Sequence, residues 1–200
     1  MEKAQDILSR CPWCLGFPEY VKYHDTEWGV PVWNDGIHFE FLILESAQAG
    51  LSWATILKKR EGYRKAFADF DYRIVAEFPE SYVVELLLDP GIIRNKLKIR
   101  AAINNARSFM KVQEEFGSFS NYIWGFVGGK PIQNKLEFLN EIAPTTKESD
   151  LLAKDLKKRG FKFLGSTTIY AHMQATGLVN DHLESCFRNS DVIALAEKSR

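Results

Sequence analysis

The stretch Leu86-Leu87-Leu88-Asp89-Pro90-Gly91-Ile92-Ile93-Arg94 decides how this chain is read. Asp-Pro-Gly is a strong turn signal, because proline presets φ and glycine accepts backbone conformations that other residues resist. Helical patterns flank it on both sides. Pro79 precedes a short helix ending near Leu88. A long helix follows from about Asn95 to Glu115, with Leu97, Ile99, Ala102, Ile103, Ala106, Phe109 and Met110 on its apolar side.

Charge changes sign across the turn. Between Ala66 and Pro90 there are six acids (Asp69, Asp71, Glu77, Glu80, Glu85, Asp89) and one base, Arg73. Between Gly91 and Val112 there are six bases (Arg94, Lys96, Lys98, Arg100, Arg107, Lys111) and no acid. The net charge of the whole chain is zero, so a neutral total can hide a basic face beside an acidic one. A glycine turn that opens a helix can present backbone N–H groups to an anion, and the basic residues beyond it add attraction for phosphate. Two readings stand on these residues. One is a helix-hairpin-helix module that holds a DNA backbone without reading its sequence. The other is an ordinary corner between two helices with solvated faces.

The remainder of the chain is mostly helical in pattern. Asn34-Asp35 caps a helix from about Gly36 to Gln48, and a second runs from Ser52 to Phe67. Further helices are predicted over Phe119 to Phe126, Thr146 to Arg159 and Thr167 to Thr176, with Gly160 and Gly177 as stops. Asn180 or Asp181 is expected to cap a last helix near His182. Phe161 to Leu164 is the only tempting strand. The expectation is an all-α protein. At 200 residues, 46% hydrophobic and 26% charged, it can bury a real core. No apolar run approaches the length of a membrane helix, and Met1 to Arg10 has no apolar signal core, so a cytoplasmic protein is expected.

Three cysteines make no disulfide framework. His182 and Cys186 are four apart, which on one helix puts both on the same face and lets them grip one metal ion. Cys11, Cys14 and His24 offer the further ligands that a tetrahedral site needs. The rival is a set of buried, satisfied side chains. Glu45 sits among Phe41, Leu42, Ile43 and Leu44. Its carboxylate either reaches solvent or points inward, where burial would make it costly. Trp13, Phe17, Tyr20, Tyr23, Trp28, Trp33 and Trp53 supply flat surfaces that suit either a core or a cationic heterocycle.

Several ordered motifs resemble one family. They are Cys11-Pro12-Trp13, Tyr23-His24-Asp25-Thr26-Glu27-Trp28-Gly29-Val30-Pro31, Gln48-Ala49-Gly50-Leu51-Ser52-Trp53, Leu57-Lys58-Lys59-Arg60-Glu61, Gly91-Ile92-Ile93-Arg94, Lys158-Arg159-Gly160-Phe161-Lys162-Phe163 and Gly177-Leu178-Val179-Asn180-Asp181-His182. From about Cys11 to Cys186 the chain is similar to 3-methyladenine DNA glycosylase I, the Tag family. The resemblance implies an all-α fold of the helix-hairpin-helix glycosylase superfamily that excises 3-methyladenine from alkylated double-stranded DNA. It implies a structural Zn2+ on Cys11, His24, His182 and Cys186, with Cys14 outside the ligand set. It places Glu45, Tyr23 and Trp53 in the base pocket, with Tyr20 and Trp13 in or near it. The expected organisation is one unit over 1–200. A helix-hairpin-helix core spans roughly 35–145, and segments 1–34 and 146–190 are joined by zinc. Ser46 stands where the family commonly has glycine.

These assignments carry mechanistic expectations. The reacting carbon is unreachable in the stack, so the base has to be flipped. A cationic 3-methyladenine leaves easily, and no aspartate occurs between Gly91 and Leu139. Glu114 and Glu115, in the long helix, look solvent-facing. Binding of the cationic base by Glu45 and Tyr23, stacked on Trp53, is therefore favoured over strict general-base chemistry by Glu45. Gly91, Ile92, Arg94 and Lys96 are expected to meet DNA, and Leu51 to fill the gap left by the base. Water is the expected nucleophile, with no strand cleavage, free 3-methyladenine as product and a monomer as the working form. Two rivals remain: a non-enzymatic damage-binding module, and a thiol redox protein using Cys11 and Cys14.

Overall fold

The computed structural model describes residues 8–198, the side chain of Lys198 excepted. Ten α-helices form among the described residues. After a short 3-10 turn at Pro12–Cys14 come α1 (Pro18–Thr26), α2 (Asp35–Gln48), α3 (Trp53–Ala66), α4 (Tyr72–Ala76), α5 (Glu80–Leu86), α6 (Lys96–Phe116), α7 (Phe119–Gly125), α8 (Lys147–Lys158), α9 (Ser166–Ala175) and α10 (Phe187–Lys198). Two-residue strands β1 (Ile132–Gln133) and β2 (Val179–Asn180) pair in parallel, Ile132 against Val179. None of these helices is long and apolar enough to cross a membrane.

Local chemistry explains the helix starts. The side chains of Asn34, Ser52, Asn95, Ser118 and Thr146 each accept a backbone N–H from the first turn of α2, α3, α6, α7 and α8. α1 and α4 are helices that the sequence patterns did not indicate. α1 opens on Pro18, where a missing N–H and a preset φ do no harm. Its aromatic residues mask any amphipathic stripe.

Two expectations are corrected. Phe161 to Leu164 is not a strand. Its backbone is paired by a side chain instead: Asn105 on α6 donates to the Lys162 carbonyl at 2.9 Å and accepts from the Lys162 N–H at 2.8 Å. The last helix does not start near His182 but at Phe187. Asp181 is occupied by Asn134, Tyr170 and Gln174, while the Asn180 oxygen does accept the His182 N–H at 3.3 Å, but in a turn that no helix continues.

The core is built around α2, which is buried without interruption from His38 to Ala47. It packs against α3, α6, α7 and α9. The Asp89-Pro90-Gly91 turn joins α5 to α6 and docks on α3. Gly62 of α3 lies directly against the Gly91 backbone, and a Cβ there would sit 2.2 Å from the Gly91 carbonyl oxygen. Around this contact Lys59 donates to the Pro90 carbonyl at 2.6 Å, and the Tyr63 hydroxyl accepts from the Ile93 N–H at 3.1 Å.

Alanine inside a helix ordinarily stabilises by about 0.5–1 kcal/mol over glycine. At Gly62 the overpacking term, about 1–3 kcal/mol, outweighs it. Gly62→Ala is expected to lose roughly 1–2 kcal/mol in urea unfolding. Gly125→Ala, whose new Cβ meets nothing within 4 Å, is expected to keep or raise stability.

Candidate active site and metal cluster

Glu45 lies in the last turns of α2, and its side chain points inward. It is only 4% exposed and opens on a cleft of about 400 Å³. The other predicted pocket residues line the same cleft: Trp13 from the 3-10 turn, Tyr20 and Tyr23 from α1, and Trp53 at the start of α3. Tyr23 packs against Trp53 with ring centres 5.4 Å apart, and Trp53 stacks on Phe41 at 6.3 Å. Phe17 and Trp33 fall outside. Phe17 lies under the Lys58 ammonium, and Trp33 stacks on Trp124.

Two buried polar atoms on the cleft wall have no protein partner: Glu45 Oε2 and Trp53 Nε1. Orphans of this kind are rare and costly. Burial pushes the Glu45 carboxyl up from 4.5 to about 8, since nothing nearby compensates the loss of water. Burial also holds the Tyr23 hydroxyl well above its ordinary value, and the Glu45 charge adds to that. The cleft thus offers an acceptor or donor at Glu45, an indole donor and several aromatic faces. This is a site for a flat polar ring.

Trp28, one of the aromatic candidates, lines it too, and the sequence patterns did not single out five further lining residues: Gln48, Leu139, Ile142, Ala171 and Gln174. Ala171 and Gln174 are three apart on α9, so they share a helix face. Only the packing of α9 against α2 brings that face to the cleft.

Cys11, His24, His182 and Cys186 form a buried cluster whose ligand atoms lie within 4.8 Å of one another. His182 and Cys186 meet through an irregular turn rather than on one helix face, a correction to the spacing argument. Cys186 Sγ is 3.4 Å from His24 Nε2 and 3.6 Å from His182 Nδ1, and Cys11 Sγ is 3.7 Å from His182 Nδ1. A tetrahedral ion bound by thiolates at about 2.3 Å and imidazoles at about 2.0 Å would separate sulphur from nitrogen by about 3.5 Å. The outer nitrogens are also fixed. His24 Nδ1 donates to Asp25 at 2.8 Å and His182 Nε2 to the Trp28 carbonyl at 3.0 Å, which turns the free lone pair of each ring into the cluster. The cluster can hold a metal ion. Cys14 is outside it, its thiol donating to the Cys11 carbonyl at 3.2 Å.

The predicted DNA-facing residues separate into two groups. Leu51, Arg94 and Lys96 are exposed. Ile92 is buried in the core, so its side chain is not available to a ligand. The turn amides are taken as well. Gly91 N–H donates to the Asp89 carboxylate, Ile92 N–H to the Asp89 carbonyl and Ile93 N–H to Tyr63. Half of the basic run is likewise engaged within the protein: Lys98 on the Ala47 and Ala49 carbonyls, Arg100 on Glu80 and Arg107 on the Ala76 carbonyl. Leu97, expected on the apolar side of α6, is 64% exposed beside Lys96.

A family model described as methyladenine glycosylase matches residues 13–189. DNA-3-methyladenine glycosylase 1 of Escherichia coli K12 is 48% identical over 179 residues, covering 90% of this chain and 96% of the relative. DNA-3-methyladenine glycosylase of Haemophilus influenzae is 44% identical, covering 90% and 97%. A structure concerned with 3-methyladenine recognition by 3-methyladenine DNA glycosylase I from Staphylococcus aureus superposes with a TM-score of 0.88 at 37% identity, covering 91% of this chain and 97% of that one. The chain belongs to the methyladenine glycosylase family, on its 3-methyladenine DNA glycosylase I (Tag) branch.

The raised Glu45 carboxyl makes a stability prediction. Its folded value, about 8, exceeds the ordinary 4.5. The folded state therefore holds a proton that the unfolded state has lost, and stability falls as pH rises through that window. Glu45→Gln removes the cost. Its melting temperature should exceed that of the native protein by a margin that grows from pH 5 to pH 8 and then levels off. The gain at pH 8 is on the order of a few kcal/mol. A margin independent of pH would refute the assignment.

Proposed function

We propose that the protein hydrolyses the N-glycosidic bond of 3-methyladenine in alkylated double-stranded DNA, with the base flipped into the aromatic cleft. The observation that carries this reading is the pair of buried, unpartnered atoms, Glu45 Oε2 and Trp53 Nε1, on two residues that line one cavity among aromatic rings. A cationic base entering there favours the ionised carboxylate, and Tyr23 and Trp53 supply hydrogen bonds and a stacking surface. Tyr20 and Trp13 complete the walls. Desolvated negative charge beside the base and sugar stabilises the positive charge of the transition state. Water then serves as nucleophile. A Schiff-base route needs a free amine near the sugar. Lys98 is engaged on two carbonyls, and Lys96 sits at the exposed start of α6, better placed for phosphate.

On this reading the α5–turn–α6 unit is a helix-hairpin-helix element that meets the DNA backbone through Arg94 and Lys96, and Leu51 enters the gap left by the flipped base. Cys11, His24, His182 and Cys186 would hold a structural Zn2+, which when bound would cross-link the segment around α1 to the turn before α10. The protein acts as a monomer in the cytoplasm, its N-terminal, hairpin and C-terminal segments working as one unit.

Incubation with methylated DNA, followed by chromatography of the released bases, tests the activity. 3-Methyladenine should appear with the strand intact. Absence of release, or a borohydride-trapped covalent complex with abasic DNA, would defeat the proposal. The metal assignment has its own test in elemental analysis of purified variants. Cys14→Ser should keep one zinc per chain, and Cys11→Ser should lose it.

A further inference from the structure

Gln174, on the face of α9 that lines the cleft, has an amide that can point only one way. Its Nε2 donates to Asp181 Oδ2 at 2.7 Å. Asp181 is buried, and it also accepts from the Tyr170 hydroxyl at 2.7 Å and from Asn134 Nδ2 at 2.6 Å. Both Asp181 oxygens already act as acceptors, toward Asn134 and Tyr170, so the NH2 group of Gln174 faces the carboxyl group and the carbonyl oxygen faces away. Among the described residues nothing donates to that oxygen. The backbone is held as well, because the Gln174 carbonyl accepts from the Gly29 N–H at 3.0 Å.

We propose that Gln174, oriented by Asp181, is a specificity-determining residue: a fixed acceptor for the exocyclic amino group of the bound base, which selects a 6-amino purine over its 6-oxo counterpart. The inference rests on the base-binding role given above to the cleft. Glu45 cannot enforce this choice by itself. Toward an uncharged free base its carboxyl, near 8, is available at neutral pH both as a donor and as an acceptor, so it can pair with an amine or with a carbonyl oxygen. The Gln174 oxygen has no such freedom. A 6-oxo base would set two acceptors against each other and leave both desolvated, the arrangement that gives the sharpest discrimination. Asp181 is a positioning residue in this scheme and touches no ligand.

The probes are free 3-methyladenine and 3-methylhypoxanthine, which carries oxygen in place of the amino group. Affinities are read from the fluorescence of Trp13, Trp28 and Trp53 on the cleft wall. The native protein should prefer the amino base at least ~10-fold. Gln174→Met should shrink that preference about ten-fold, mainly by weakening 3-methyladenine. Asp181→Asn, which leaves the amide free to turn over, should shrink it in the same direction. Equal weakening of both bases, or an unchanged preference in both variants, would overturn the inference. A native protein that binds neither base would defeat the proposed function itself. A native protein that releases 3-methyladenine from DNA but shows no amino-over-oxo preference would leave that function standing and overturn only the role of Gln174.

Discussion

A helix buried on every side has to satisfy its polar side chains inside the protein, because no water reaches them. α2 meets that demand almost completely. His38 donates from Nε2 to the Val32 carbonyl at 3.0 Å, and its Nδ1 pairs with His172 at 3.2 Å. Glu40 accepts from Arg60 at 2.8 Å and Arg64 at 3.1 Å. Ser46 donates to the Ile43 carbonyl at 2.9 Å. The exception is Glu45. With every neighbour in the helix satisfied, no reorganisation of α2 can offer its free oxygen a partner. A carboxylate so placed can be relieved only by protonation or by what enters the cleft.

The opposite wall of the cleft is built from the surroundings of the metal cluster. Trp13 follows Cys11 by two residues. Tyr20, Tyr23 and His24 share the short helix α1, whose spacing turns the tyrosines toward the cleft and the histidine toward the cysteines. Trp28 contributes both its ring to the cleft and its carbonyl to His182. Trp13 touches the rings of Trp28 at 4.8 Å and Tyr20 at 5.2 Å. An aromatic wall carried by so little helix needs an anchor, and the buried Cys11, His24, His182 and Cys186 side chains pack together where apolar packing alone is thin. Cleft and cluster are two faces of the same few residues.

The helices with capped starts and amphipathic stripes were readable in the sequence, several to within a residue or two of their ends. The clustering of Cys11, His24, His182 and Cys186 and the placing of five cleft residues were readable as well, through ordered motifs that bring distant positions together. What escaped was settled by tertiary partners. The segment after Gly160 looked like a strand from its alternating pattern, but Phe163 takes a left-handed φ of 57° and the backbone partner is the amide of Asn105, which no periodicity reports. The turn at Gly91 looked like an open anion site. Its amides are instead claimed by Asp89 and by Tyr63 of a helix about thirty positions earlier. Asp181 looked like a helix cap, and only the fold shows that Asn134, Tyr170 and Gln174 converge on it. In each case the local signal was correct about polarity or backbone shape and silent about which distant group would answer it.

The cluster also sets an order of assembly. His24 and Cys186 are separated by 162 positions in the chain, so during synthesis one pair of ligands emerges long before the other. Helices α2 to α7 can fold on one another once α7 has emerged, since the α2 contacts with α3, α6 and α7 all lie within that stretch. The aromatic wall beside Cys11 and His24 has to wait. It gains its anchor only when the final turn of the chain arrives with His182 and Cys186. A nascent chain would therefore hold the buried carboxylate of α2 before it held the aromatic wall across the cleft, and an incompletely made protein would be folded at its centre with only one side of that cleft built.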